Sequence, residues 1–371
     1  MSLAKRKSTE PYLVTYLHAK GRRLGLPVAG NFELTARCNF NCPMCYVHMS
    51  EKEIENCGKE LTAAQWIKLA EEAKDQGMVF VLLTGGEPFV RKDFFEIYSA
   101  MKRMGLIVSI NSNGSMLEGK VLEQLLADPP SRINISLYGG CNETYKDMCG
   151  LSVYDKVLKN IVTLKEHEID VRMNLSITPY NCQDIEKIYE IANQYDIPVR
   201  ASSYMYPSAR LIKESEKRGK RFSPEESAWW SVAWDKLRFT EEEFLQRAET
   251  MKNFMKVDDD GCFVDMEDGV RCRAGSTSFW MTWDGQMRPC GMMPYPSTYP
   301  LEKGFETAWK EICEDAEKLR QPKKCAACSR KDICDVCAAV CVSETGDFSS
   351  VPEYMCKRTE NIVNLSLECL G

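Results

Sequence analysis

Six short apolar runs alternate with stretches of helical period as far as Ser203, and that alternation leaves few folds open to the chain. The runs are Phe32–Thr35, Met78–Leu83, Leu106–Asn111, Arg132–Leu137, Val171–Ile177 and Pro198–Ser203, each of strand length. After the first, Trp66, Leu69, Ala70 and Ala73 recur at i, i+3, i+4 and i+7. Thr62 with Gln65 makes a capping box for that helix, and Gly77 stops it. The design repeats with Phe94, Ile97, Tyr98 and Met101, opening at Asp93 with Glu96 three residues on and ending at Gly105. Two more helices are expected near Tyr154–Glu168 and Gln183–Gln194. Strands alternating with helices imply a parallel sheet, so the expected class is α/β, a partial (βα)6 TIM-type barrel. Chemistry in such a fold gathers in the loops after the strands.

The flanks divide the rest. Residues 1–30 read as a lead-in helix followed by a turn-forming Gly25–Gly30 stretch, and residues 31–204 as the barrel. Residues 205–260 form a charged connector with helices at Pro224–Trp234 and Glu241–Met255, closing on the acidic run Asp258–Asp260 and Gly261. Its basic stretch of Lys213, Lys217, Arg218, Lys220 and Arg221 reads as a solvated helix face. Residues 261–371 are rich in cysteine and turn signals; Phe279–Trp283 and Gln286–Arg288 flank Asp284-Gly285, so a small unit with a β-hairpin and helices is expected.

Composition narrows the chemistry. The chain has 18 cysteines against three histidines, His18, His48 and His167. Lys5, Arg6 and Lys7 are followed by polar residues with no apolar segment, so no signal peptide is read and a cytoplasmic location is expected. In that compartment a thiol-rich chain with C-x-x-C spacings reads as metal-binding, with thiolate as the dominant soft ligand. A net charge of −6 offers no footprint for nucleic acid or an anionic membrane, and no run is long enough to cross a bilayer.

Cys38, Cys42 and Cys45 form a C-x3-C-x2-C array directly after the first strand. Three thiolates can wrap one cubane and leave one iron without a protein ligand. A zinc loop closed by His48 is the alternative for the array alone. The second strand, however, runs into Thr84-Gly85-Gly86-Glu87-Pro88, where paired glycines allow close backbone approach and Glu87 can accept from an ammonium. Together the two motifs resemble the signature of the radical S-adenosylmethionine (SAM) superfamily. The resemblance implies a [4Fe-4S] cluster on Cys38, Cys42 and Cys45, with SAM chelating the fourth iron and Gly85, Gly86 and Glu87 at its methionine end. The family usually has an aromatic residue before the third cysteine; here Met44 stands there, with Tyr46 one place after. By the same resemblance Asn113 and Ser136, after the third and fourth strands, are candidates for ribose and carboxylate contacts, each with an ordinary turn role as the alternative. Arg172 and Arg200 are candidates for the SAM carboxylate if they face the barrel.

A second set of cysteines follows: Cys272, then Gly285 and Cys290, then Cys325, Cys328, Cys334, Cys337, Cys341 and Cys356. This resembles the SPASM domain of radical SAM enzymes that mature peptides. The match holds through Cys334, but the next cysteine is expected where Ala338 stands, between Cys337 and Cys341. The resemblance implies one or two auxiliary [4Fe-4S] clusters. One would use Cys325, Cys328, Cys334 and Cys356; the other Cys272, Cys290, one of Cys337 and Cys341, and Cys262 as a further candidate at a shifted spacing. Paired zinc ribbons are the alternative. Cys149, Cys182, Cys313 and Cys369 read as core or incidental thiols, and Cys57 and Cys141 as loop thiols with a small chance of meeting substrate.

The resemblance implies an oxidoreductase that cleaves SAM to a 5′-deoxyadenosyl radical, fed by a one-electron reductant such as flavodoxin or ferredoxin. The expected substrate is a peptide or protein, modified by thioether or cross-link formation or by formylglycine-type oxidation. A dehydrogenase or epimerase of a small polar molecule such as a carbohydrate is the second enzyme reading; a non-radical iron–sulfur carrier or zinc scaffold is the reading from another class. Nothing singles out an acid or base among loop residues such as Tyr138, Asp265 and Arg288.

Overall fold

The structure, a computed structural model, describes residues 11–47, 49–207, 220–252 and 269–370. Strands β1 (Ala29–Glu33), β2 (Phe80–Thr84), β3 (Ile107–Ser112), β4 (Arg132–Ser136), β5 (Val171–Ser176) and β6 (Val199–Ser202) lie side by side in sequence order, each parallel to the next. The expected hairpin forms as β7 (Ser278–Met281) and β8 (Met287–Arg288). It extends the same sheet, because β7 pairs in parallel with β1, Ala29 opposite Ser278. The cysteine-rich unit is thus continuous with the barrel sheet.

Helix α1 (Tyr12–Leu24) precedes β1; α2 (Glu51–Cys57) and α3 (Ala63–Asp75) lead to β2, and α4 (Phe94–Arg103) to β3. Helix α5 (Gly119–Ala127) leads to β4, α6 (Asn142–Cys149) and α7 (Tyr154–Glu166) to β5, and α8 (Ile185–Gln194) to β6. Alternate strand residues explain the layering. Phe32, Val81, Leu83, Val108, Ile110, Ile133, Ile135, Val171 and Met173 are buried in one core with Trp66, Leu69, Ile97, Met101, Ile161 and Leu164 from the helices. Each such side chain contributes roughly 1.5–3 kcal/mol by leaving water. The intervening residues, among them Asn31, Ser109, Asn111, Asn134, Ser136, Arg172 and Asn174, point to the face without helices, which is polar and partly open.

Two local expectations need correction. The Gly25–Gly30 turn is shorter than expected, for Gly30 already lies in β1; a Cβ there would stand 2.7 Å from Met78 Sδ and from Phe279 Cζ, so the strand needs a glycine at that crossing. The Thr62–Gln65 capping box of α3 forms as expected, but Asp93 makes no cap hydrogen bond at α4. Its carboxylate instead takes Arg91 Nη2 at 2.7 Å and Nε at 2.9 Å.

After the barrel come α9 (Pro224–Arg238) and α10 (Glu241–Met251), then α11 (Pro300–Lys303), α12 (Phe305–Lys318), α13 (Lys323–Ala326), α14 (Ala338–Thr345) and α15 (Glu353–Glu368). The connector helices α9 and α10 share a core with α15 through Ala228, Val232, Phe244, Met251, Ile362 and Val363. At the other end α1 is pinned to the cysteine-rich unit by His18 Nδ1 with Thr277 Oγ1 at 2.9 Å and by Trp309 Nε1 donating to Gly25 O at 2.7 Å.

Candidate active site

The loop after β1 carries Cys38, Cys42 and Cys45 and closes where Met49 N donates to Ala36 O at 3.2 Å. Inside it Cys45 N donates to Cys42 O at 3.1 Å and Phe40 N to Cys38 Sγ at 3.3 Å. Burial, with some repulsion from Glu87 and Cys45, pushes the Cys38 thiol up to about 12, although the Phe40 amide favours its thiolate. Burial also raises Cys42, followed by the influence of Cys45, Cys149 and Cys38. Thiols so desolvated stay protonated unless a cation is bound.

The ends of β2, β3 and β4 converge on this loop. Gly85 and Gly86 pack on the backbone leading into it: Gly86 N donates to Thr35 O at 2.8 Å and Glu87 N to Arg37 O at 3.0 Å. A Cβ at Gly86 would lie 2.3 Å from Arg37 O, and one at Gly85 2.5 Å from Thr35 O. The close approach expected of these glycines is therefore, in the first place, to the chain's own segment before Cys38. Glu87 is fully buried, and burial pushes its carboxyl from 4.5 to about 7 despite hydrogen bonds from the Asn113 and Phe89 amides and the Ser112 hydroxyl.

Asn113 is engaged on both sides of its amide. Nδ2 donates to Asn39 Oδ1 at 2.8 Å and faces Cys38 Sγ at 3.8 Å, while Oδ1 accepts from Ser115 N at 2.9 Å and Oγ at 2.7 Å. The Tyr138 hydroxyl lies near both Ser136 and the Cys42 thiol, where it favours the thiolate. The sequence shows Tyr138 as a loop residue after the fourth strand and gives no sign of this proximity. Arg172 and Arg200 do lie on the polar face, but apart from the converging loops. Arg172 is opposite Asn134, well before the end of β5, with its Nε 3.9 Å from Asp170 Oδ1; Arg200 is exposed opposite Asn174.

The C-terminal thiols fall into two groups. Cys290 and Cys337 feel each other and Cys272; burial pushes Cys290 up to about 11, and Tyr206, just past β6, stands near the Cys337 thiol. Cys325, Cys328, Cys334 and Cys356 form the second group, and burial takes Cys325 to about 12. Cys341 is fully buried between the groups, feeling Cys325, Cys337 and Cys334. All cysteines among the described residues are free thiols, and no three ligand side chains there converge tightly enough for a single ion. His48, Cys262, Asp265, Lys213, Lys217, Arg218 and the 258–260 acidic run lie outside the described residues. Cys57 ends α2, exposed, and Cys141 caps α6. Among the described residues no helix is long and apolar enough to cross a membrane.

Known proteins resemble this arrangement. The model of the radical SAM superfamily matches residues 32–192. An AdoMet-dependent heme synthase of Methanosarcina barkeri is 25% identical over 87% of this chain and 94% of its own length. A probable GTP 3′,8-cyclase of Saccharolobus islandicus is 32% identical over 47% of this chain and 56% of its own, so the chain spans about half of that relative. Among solved structures, Streptococcus suis SuiB bound to precursor peptide SuiA superposes with a TM-score of 0.67 at 17% identity, covering 94% of this chain and 82% of that one. The structure of anSMEcpe with bound AdoMet gives 0.68 at 15%, covering 93% and 98%. The expected fold is therefore found along nearly the whole chain, and its residues 32–192 are a radical SAM domain.

Proposed function

We propose that the chain cleaves SAM reductively at a [4Fe-4S] cluster held by Cys38, Cys42 and Cys45 and oxidises a peptide or protein substrate with the help of two auxiliary clusters. The observation that carries the reading is the convergence of three strand ends on the three-thiol loop after β1, with a buried carboxyl at Glu87 and two further thiol groups in the C-terminal unit. The surroundings of the second group fit an anion. Ser329 Oγ, Arg330 Nε and Arg358 Nη1 are buried without a hydrogen-bond partner, and Thr359 Oγ1 has only the Cys334 thiol to turn to. All four can donate, which suits thiolate and sulfide sulfur.

When bound, the first cluster supplies the electron that breaks a carbon–sulfur bond of SAM. The chain's own residues hold and shield. The Tyr138 hydroxyl lies near Cys42 and Asn113 Nδ2 faces Cys38, so polar groups stand beside both sulfurs. Glu87, aligned by Ser112 and the Asn113 amide, is the candidate acceptor for the SAM ammonium together with the Gly85-Gly86 backbone. Ser136 remains a candidate for ribose. Arg172 and Arg200, on the polar face below, are better placed for substrate anions than for SAM. We assign the first auxiliary group to Cys272, Cys290 and Cys337, with Cys341 a buried neighbour.

The peptide substrate is supported by the fold shared with SuiB, solved with its precursor peptide, and with anSMEcpe, solved with AdoMet and the Cp18Cys peptide. A second reading, oxidation of a small carboxylate-bearing molecule, is favoured by the heme synthase relative of matching length and by the arginines of the polar face. Anaerobic reconstitution, iron determination and chromatography for 5′-deoxyadenosine test the shared core: about twelve irons per chain and SAM cleavage under reduction are expected. Fully loaded, reduced protein that leaves SAM intact refutes it.

A further inference from the structure

The second thiol group has one companion that no cysteine pattern announces. Arg358, on α15, is 3% exposed. Its Nε donates to Ser227 Oγ on α9 at 2.9 Å, and Nη2 reaches Ser203 Oγ, just past β6, at 3.4 Å. Ser203 Oγ in turn donates to Ser227 O at 2.7 Å, so the guanidinium is held from two sides by neutral groups. Nη1 has no hydrogen-bond partner, and Cys334 lies within its electrostatic reach.

A guanidinium keeps its charge in a protein, and a buried charge is costly unless compensated. The nearest acid among the described residues is Asp335, whose Oδ2 stands 3.8 Å from Nη1 with a side chain 69% exposed. At that separation and exposure water screens most of the attraction. The protein thus buries a cation near Cys334 and leaves its Nη1 without a hydrogen-bond partner. Four thiolates outweigh the positive charge of an iron–sulfur core, so a cluster there is an anion, and it becomes more negative on reduction. A fixed cation stabilises the reduced form more than the oxidised one.

Resting on the cluster assignment above, we propose that Arg358 is a positioning residue for the cluster on Cys325, Cys328, Cys334 and Cys356, compensating its charge and holding its reduction potential up. The same side chain is tied to Ser203 at the barrel mouth, so the cluster's charge compensation is built into the joint between barrel, connector and C-terminal unit. Asp335, next to Cys334 and open to solvent, acts in the opposite sense.

The test is an anaerobic redox titration of the reconstituted full chain, followed by electron paramagnetic resonance, with iron measured on each sample. Arg358→Gln should move one auxiliary signal negative by at least a factor of ten in its one-electron equilibrium, about 59 mV. Arg358→Lys should keep that signal within the same limit of the unaltered protein, and Asp335→Asn should move it positive. If Arg358→Gln loads fewer irons, the Asp335→Asn shift decides: a positive shift supports the proposal and none overturns it. Full iron content with an unmoved potential in Arg358→Gln overturns the inference alone. About four irons per chain in the unaltered protein overturns the cluster assignment and the inference together.

Discussion

Glu87 accepts the backbone amide of Asn113 at 2.7 Å, tying the end of β2 to the end of β3 beside Cys38. The same carboxylate takes the Ser112 hydroxyl at 3.0 Å and is fully buried. Burial outweighs these bonds, so the carboxyl titrates near 7 in the folded protein rather than at 4.5. Between those values the folded state holds a proton that the unfolded state has released. Stability from this group is complete below pH 4.5 and is lost as pH rises through 7. Urea unfolding of the metal-free protein should therefore show a loss of about 3 kcal/mol from Glu87 across that window, which Glu87→Gln removes. Equal pH slopes for the two proteins would contradict the carboxyl's burial.

Gly86 is required for contact with the chain itself. A methyl group there would meet Arg37 O at 2.3 Å and Arg37 C at 2.7 Å, backbone atoms held in place by the Glu87 amide on Arg37 O and, two residues earlier, the Gly86 amide on Thr35 O. Gly86→Ala should cost about 1–3 kcal/mol and displace the loop bearing Cys38, with lower iron loading at that loop. Gly105→Ala is the control. Its φ of +81° strains an alanine, but nothing lies within 4 Å, so only the conformational cost of roughly 1 kcal/mol is expected. Thermal unfolding with iron analysis separates the two.

The layers, and the segments that meet at the candidate site, were legible in the sequence because period and spacing are local properties. The alternation in Arg132–Ser136 and Val171–Ser176 gives both the helix-covered and the polar face, and Thr62 with Gln65 marks its own helix start. What stayed hidden depends on partners distant in the chain. Asp93 looks like a cap until Arg91 comes between Leu34, Leu61 and its carboxylate. Tyr138 looks like any loop residue until the loop folds over Cys42. Cys337 and Cys341 are one helical turn apart, so spacing alone cannot separate them. Cys337 caps α14 and turns to Cys290, while Cys341 sits within the helix, fully buried.

Arg91 itself is a structural test. It is 6% exposed and donates to Leu34 O at 2.8 Å and Leu61 O at 3.0 Å, joining the end of β1 to the segment before α3. Arg91→Met keeps the apolar stem but leaves two carbonyls and the Asp93 carboxylate without their donor. A loss of about 3 kcal/mol in urea unfolding is expected, since removing one partner strands the others. A loss below 1 kcal/mol would mean water replaces the guanidinium freely.

The two neighbouring thiols of α14 make opposite predictions. Cys337 stands near Cys272, Cys290 and Tyr206, so Cys337→Ala should lower iron content by up to about four per chain. Cys341 is buried between the groups, and Cys341→Ala should retain full iron at a modest cost in stability. Iron determination with the electron paramagnetic resonance spectrum of each variant reads the difference. Reversed results would move the ligand from Cys337 to Cys341.

The separation of the thiols into groups also divides the chemistry. Cys42 belongs to the loop after β1, where Tyr138, Asn113 and Glu87 converge; Cys328 belongs to the second C-terminal group, beside Cys325 and Cys356. No described contact joins the two sites. Cys42→Ala should therefore abolish 5′-deoxyadenosine formation while keeping the auxiliary irons. Cys328→Ala should lose irons from its own group, keep SAM cleavage, and fail to turn a substrate radical into oxidised product. Chromatography of the nucleoside, run beside iron analysis, checks both. If Cys328→Ala stops SAM cleavage in protein that still folds and still holds iron at Cys38, Cys42 and Cys45, the C-terminal group feeds electrons inward to the first cluster instead of accepting them from substrate.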